Sequence, residues 1–80
     1  MNIGEASRKR ILELCAEKNM SINKLATLSG ITQSTLNNIV SGRNKSTTVS
    51  TVKKLCDGLN ITIIEFFSTD YFINLDQEIK

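Results

Sequence analysis

Residues 21–42 read SINKLATLSGITQSTLNNIVSG. Two apolar series at helical spacing lie within them: Leu25, Ala26 and Leu28, then Leu36, Ile39 and Val40. Only Gly30, Ile31 and Thr32 separate the two, so the helices they predict must cross steeply. A Gly at the end of the first helix supplies the left-handed conformation that such a stop requires. Close crossing needs a small side chain, which Ala26 provides four places before Gly30, and Leu25, Ile31, Leu36 and Ile39 fill the wedge. Each element is weak alone, but the ordered set is a helix-turn-helix signature.

The second helix of the pair carries an unusual outer face. Gln33, Ser34, Asn37, Asn38 and Ser41 are polar but uncharged. A merely solvated face is usually laced with Lys and Glu, whereas Asn and Ser are poor helix formers. Amides and hydroxyls are directional and can distinguish base edges; a lysine would add sequence-blind attraction. A wheel centred on Leu36, Ile39 and Val40 puts Ser34, Asn38 and Ser41 farthest outward, flanked by Thr35 and Asn37, with Gln33 nearer the protein.

Outward from this pair, the remaining chain reads as further helices. A first runs from about Glu5 to Lys18, with Ile11, Leu14 and Cys15 inward; the second begins after Ser21. A fourth spans about Val49 to Gly58, aligning Val52, Leu55, Cys56 and Leu59, and a short fifth after Thr62 puts Phe66 and Phe67 in the core. Three starts share one device: Met20–Ser21–Leu25, Ile31–Thr32–Leu36 and Ile61–Thr62–Phe66. In each, a hydroxyl caps an orphan N–H and the flanking apolar pair staples the entry angle, at about 1 kcal/mol per cap. Glu65 completes a capping box with Thr62.

Composition narrows the function. Eighty residues make one domain, and a chain of that length buries roughly 60–65% of its unfolded surface, too little for a large catalytic pocket. With no His, no paired carboxylates and no activated nucleophile in a plausible cluster, an enzyme is not expected, nor is any cofactor or metal. Cys15 and Cys56 form no metal-ligand spacing and read as small packed hydrophobes, Cys56 in the core and Cys15 on the inward face of the first helix or partly exposed at its edge. The longest oily segment, ITIIEFF at 61–67, is too short to span a bilayer, and MNIGEASRKR lacks the apolar region of a signal peptide. The expectation is a cytoplasmic protein with no membrane partner. The net charge of +2 conceals a division: residues 1–54 carry +6 and residues 55–80 carry −4. A polyanion is expected to face the first part.

The run SINKLATLSGITQSTLNNIVSGRNKSTTVSTVKKLCDGLNITIIEFF resembles the Cro/C1-type helix-turn-helix domain of the XRE family of transcriptional regulators, over roughly residues 5–67. The resemblance implies an all-α, five-helix, lambda-repressor-like DNA-binding domain over residues 1–67 with a short extension at 68–80. It implies a regulator, repression being the expected sense, that binds double-stranded DNA as a homodimer on a palindromic operator. The helix at about 33–41 would lie in the major groove. Base edges then fall to Gln33, Ser34, Thr35, Asn37 and Asn38, and phosphates to Ser21, Asn23, Ser41, Arg43, Asn44 and Lys45. Lys24, Lys53 and Lys54 are expected mainly as solvated faces, as are Arg8, Lys9 and Arg10, although these last three lie within reach of a backbone.

Two departures from the family pattern stand out. Ile22 occupies a position where many relatives carry a Gln that braces the recognition helix, and KSTTV lacks the Pro that often precedes the fourth helix. The tail STDYFINLDQEIK has Phe72, Leu75 and Ile79 at helical spacing, which predicts a short amphipathic helix. Its acidity argues against DNA contact, and Ile64, Tyr71, Phe72 and Leu75 are the expected dimer surface. The alternative function for this fold is a protein-interaction module, such as an antitoxin or a regulator-binding partner.

Overall fold

The computed structural model describes residues 1–43 and 46–79. Five helices follow one another: α1 (Ile3–Glu17), α2 (Ile22–Ser29), α3 (Gln33–Val40), α4 (Val49–Leu59) and α5 (Ile63–Phe67). A 3-10 turn, Asp70–Phe72, comes after them, and no strand occurs among the described residues. The all-α, five-helix expectation holds. α1 begins two residues earlier than its apolar pattern suggests because Asn2 caps it. Asn2 Oδ1 accepts the Glu5 N–H at 2.8 Å while Glu5 Oε1 accepts the Asn2 N–H at 3.1 Å.

Three connectors share one three-residue design: Asn19–Met20–Ser21, Gly30–Ile31–Thr32 and Asn60–Ile61–Thr62. The first residue is left-handed in each, with φ of 51°, 70° and 58°. This conformation lets the following apolar residue return its N–H to a carbonyl five positions back: Met20 to Cys15, Ile31 to Ala26 and Ile61 to Cys56, at 2.9–3.1 Å. Met20, Ile31 and Ile61 all pack half-buried on the core. The third residue caps the next helix, Ser21, Thr32 and Thr62 accepting the N–H of Lys24, Thr35 and Glu65 at 3.0–3.1 Å. One apolar residue therefore closes one helix and aims the next. Thr48 caps α4 by the same bond, to the Thr51 N–H at 3.1 Å.

α2 is the central element, packing on α4, α3 and α1. Leu25, Leu36, Leu55, Cys56, Phe66 and Ile11 are fully buried around it, and each of the larger side chains contributes about 1.5–3 kcal/mol by leaving water. Ala26, also fully buried, gives α3 its close approach. Against α4 the approach is closer still, since a Cβ on Gly58 would lie 2.3 Å from Ser29 Oγ. Cys15 is buried in the same core as Cys56, the inward of the two placements expected for it. Burial raises both thiol pKa values; at Cys56 nearby Lys53 opposes and Asp57 and Glu65 add to the rise.

Two expectations at the C-terminal end are corrected. Phe66 is fully buried, but Phe67 keeps 36% of its surface exposed. α5 is barely more than one turn, and consecutive residues diverge by about 100°, so one helix of this length cannot bury both. Phe67 stands at the rim instead, edge-on to Phe66 and to Phe72 with centroids 4.9 Å apart in both pairs. Among the described residues the tail forms no amphipathic helix, only the 3-10 turn. Its backbone runs back to the start of the chain, where the Asp76 N–H donates to the Met1 carbonyl at 3.1 Å and the Asp76 carboxylate lies 3.5 Å from the terminal amine.

Candidate nucleic-acid interface

The exposed side of α3 follows from which of its residues are buried. Leu36 and Ile39 are in the core and Val40 is only half-buried. The buried stripe is therefore centred between Leu36 and Ile39, which turns Asn38 from the outermost position to a flank, where it is half-buried. Gln33, Ser34, Thr35, Asn37 and Ser41 are exposed. Several of their polar groups are already held. Thr35 Oγ1 accepts the Thr32 hydroxyl at 2.7 Å, and Ser41 Oγ donates to the Asn38 carbonyl at 3.3 Å.

Asn37 is the most constrained of these side chains. Its Nδ2 donates to the Gln33 carbonyl at 2.8 Å, one turn back, and to Asn23 Oδ1 on α2 at 3.3 Å. Both amide hydrogens are thus engaged, and Oδ1 is left as an acceptor with no hydrogen bond among the described residues. The second bond also ties α3 to α2. Polar bracing, which Ile22 removes from its usual position by packing half-buried on the core, is supplied one residue later by Asn23.

Ser21 and Asn23 sit exposed at the start of α2. With Ser21 Oγ taking the Lys24 N–H, the other first-turn N–H groups remain open to an anion. Arg43 is exposed just past α3, whereas Asn44 and Lys45 lie outside the described residues. Among helix lysines, Lys24 and Lys54 are exposed and Lys53 pairs with Asp57.

The three consecutive cations of α1 have separate fates. Arg10 is structural: its guanidinium donates to the carbonyls of Phe66 at 2.7 Å and Glu65 at 2.8 Å, closing α5, and lies 3.5 Å from Glu13. Lys9 Nζ stands 4.6 Å above the Tyr71 ring. Tyr71 in turn donates its hydroxyl to Glu13 at 2.9 Å, and burial together with that bond raises its pKa. Arg8 alone turns toward the end of α3, against Gly42. The residues expected at a dimer contact divide likewise. Ile64 is 80% exposed, while Tyr71, Phe72 and Leu75 are half-buried against their own chain.

Sequence reasoning missed an apolar cleft of about 140 Å³, lined by Ile3, Ile39, Val49, Val52 and Phe67 with Ser7 and Thr47. Its walls come from three separate stretches of the chain, the start of α1, residues between Ile39 and Val52 and the end of α5, so no local pattern announces it. Among the described residues no group of His, Cys, Asp and Glu is placed to hold a metal, and no helix is long and apolar enough to cross a membrane.

Two capped helices crossing over a left-handed three-residue turn, the second presenting directional polar groups, define a helix-turn-helix protein. The chain belongs to the Cro/C1-type HTH DNA-binding domain family, whose model matches residues 10–70. A solved structure described as that of the prophage Lp1 protein 11 is similar to it at 36% identity and a TM-score of 0.80. The alignment covers 94% of this chain and all of that one. No curated protein matches the chain.

Proposed function

We propose that this DNA-binding domain is a sequence-specific transcriptional repressor that works as a homodimer on a palindromic operator in the cytoplasm. α3 lies in the major groove, where Gln33, Ser34, Thr35, Asn37 and Asn38 face base edges. Ser21, Asn23, Ser41 and Arg43, with Asn44 and Lys45, take the flanking phosphates. The observation that carries this reading is the α3 face itself: exposed, uncharged, rich in directional groups and braced through Asn23. A side chain held before the duplex arrives loses less conformational freedom on binding. Phosphate contacts position the domain and give affinity its salt dependence, while the amides and hydroxyls discriminate. Ile64 and the exposed edges of Tyr71, Phe72 and Leu75 form the dimer contact, leaving the basic part of the chain to the duplex.

Selection of sites from random duplexes with the purified protein tests the reading. The expected product is a palindrome whose half-sites lie about 10 bp apart, one helical turn. A reporter driven from a promoter overlapping that palindrome should fall in output when the protein is expressed. The cleft beside Phe67 and Val49 favours one second reading, a protein-interaction module that receives a partner's apolar side chain there. Binding that enriches no sequence and is merely weak and salt-sensitive would put that reading first.

A further inference from the structure

We propose that Arg8 is a further DNA-phosphate ligand, on α1 and outside the helix-turn-helix. The assignment rests on the duplex-binding reading above. Its basis is the packing of the guanidinium at the end of the recognition helix. A Cβ at Gly42 would lie 2.5 Å from Arg8 Nη1 and 3.6 Å from Cζ, so the planar group is seated directly against the glycine backbone. Any larger residue at position 42 would displace it. The side chain is half-buried, which limits its freedom, yet among the described residues it makes no ion pair or hydrogen bond. Its neighbours in sequence show the contrast, since Arg10 is spent on α5 and Lys9 on Tyr71.

A guanidinium presents five donors in a fork that suits phosphate oxygens. Here the fork lies against Gly42, between Ser41 and Arg43 in the sequence and at the end of α3, where on the duplex-binding reading the backbone of the DNA passes. A cation near a helix C-terminus is also favoured by the dipole, and that effect keeps Arg8 in place before DNA arrives. The dipole alone would make Arg8 a stability residue with no part in binding. The two roles separate in a salt titration.

Affinities of the full chain for the selected operator and for a scrambled duplex should be measured between about 50 and 200 mM salt. Removing one phosphate contact lowers the slope of log affinity against log salt by about 0.9. Arg8→Gln should show that loss on both duplexes, and the wild-type advantage should shrink about 3.5-fold across the fourfold salt range. Arg8→Lys, which keeps the charge, should retain most of the slope. If Arg8→Gln folds poorly, Arg8→Met keeps the aliphatic stem and serves as the neutral variant. An unchanged slope in the neutral variant, with a lower melting temperature, overturns the phosphate assignment and leaves the dipole role. A wild-type chain with no salt-dependent duplex binding would instead overturn the regulator reading itself, so the two failures are distinguishable.

Discussion

Asn37→Ala separates reading from bracing. In the free protein the substitution removes two exposed hydrogen bonds, at 2.8 and 3.3 Å. At the low end of the usual range, about 0.5 kcal/mol each, they sum to about 1 kcal/mol. Alanine recovers about 0.6 kcal/mol of that through its better helix propensity. Net stability should therefore change by less than about 0.5 kcal/mol, a shift of only a few degrees in melting temperature. On DNA the loss is of another kind. With both Nδ2 hydrogens engaged, Asn37 offers Oδ1 as an acceptor, and in the major groove the base donors are adenine N6 and cytosine N4. Losing that contact should cost about 1 kcal/mol, roughly fivefold in affinity. The discrimination should relax at one operator position that prefers adenine or cytosine. Site selection repeated with the variant, beside thermal unfolding of the free protein, measures both quantities. An equal loss on every sequence would reassign Asn37 to phosphate positioning. A stability loss above about 2 kcal/mol would make it a brace first, and the argument from a free Oδ1 would fail.

Gly58→Ala should destabilise by about 1–3 kcal/mol despite alanine's helix preference, because the new Cβ meets Ser29 Oγ, the Ser29 backbone and Leu25 in a packed contact. Ser29→Ala removes the nearest of those atoms, a buried hydroxyl that has no partner among the described residues, and should partly restore the melting temperature of the double variant. Arg10→Ala should cost about 2–4 kcal/mol in chemical denaturation, since it strips two α5 carbonyls of a charged donor in a nearly buried setting; the salt slope of DNA binding, read where the variant is still folded, should not move. Stability should also fall as pH rises above about 9, because Cys15, Cys56 and Tyr71 all ionise less readily in the folded chain than in the unfolded one. Between the unfolded and folded pKa values the native state holds the extra protons, so the slope is negative. Cys15→Ala combined with Cys56→Ala should flatten that decline in melting experiments run across the range.

What was legible in the sequence was local. A hydroxyl followed by a helical series caps whatever it precedes, and a glycine before Ile31 stops whatever it follows, so the positions of five helices could be read from neighbouring residues. Asn19 and Asn60 escaped because asparagine tolerates the left-handed region without requiring it. Only the repeated order of left-handed residue, apolar residue and hydroxyl betrays them, and that order is visible once Gly30–Ile31–Thr32 is taken as the template. Phe66 and Phe67 could not be ranked from the chain because a one-turn helix offers no periodicity to measure. The brace is a similar case: Ile22 suggested its loss, while the compensation from Asn23 depends on where α3 crosses α2.

The cations of α1 show most clearly where reading one residue after another stops. Arg8, Lys9 and Arg10 are adjacent and chemically alike, yet steps of about 100° send them to three different surroundings. Arg10 meets the open carbonyls of a short helix, Lys9 an aromatic face, and Arg8 a glycine at the end of the recognition helix. A charge count assigns all three to the +6 segment, but Arg10 is bonded to α5 and Lys9 lies over Tyr71, so the proposed salt-dependent grip on DNA is assigned to Arg8, which makes no ion pair or hydrogen bond among the described residues. The field that attracts a duplex and the contacts that hold it thus draw on different residues. Net charge forecasts the first, and the second depends on which basic groups the fold has left unspent.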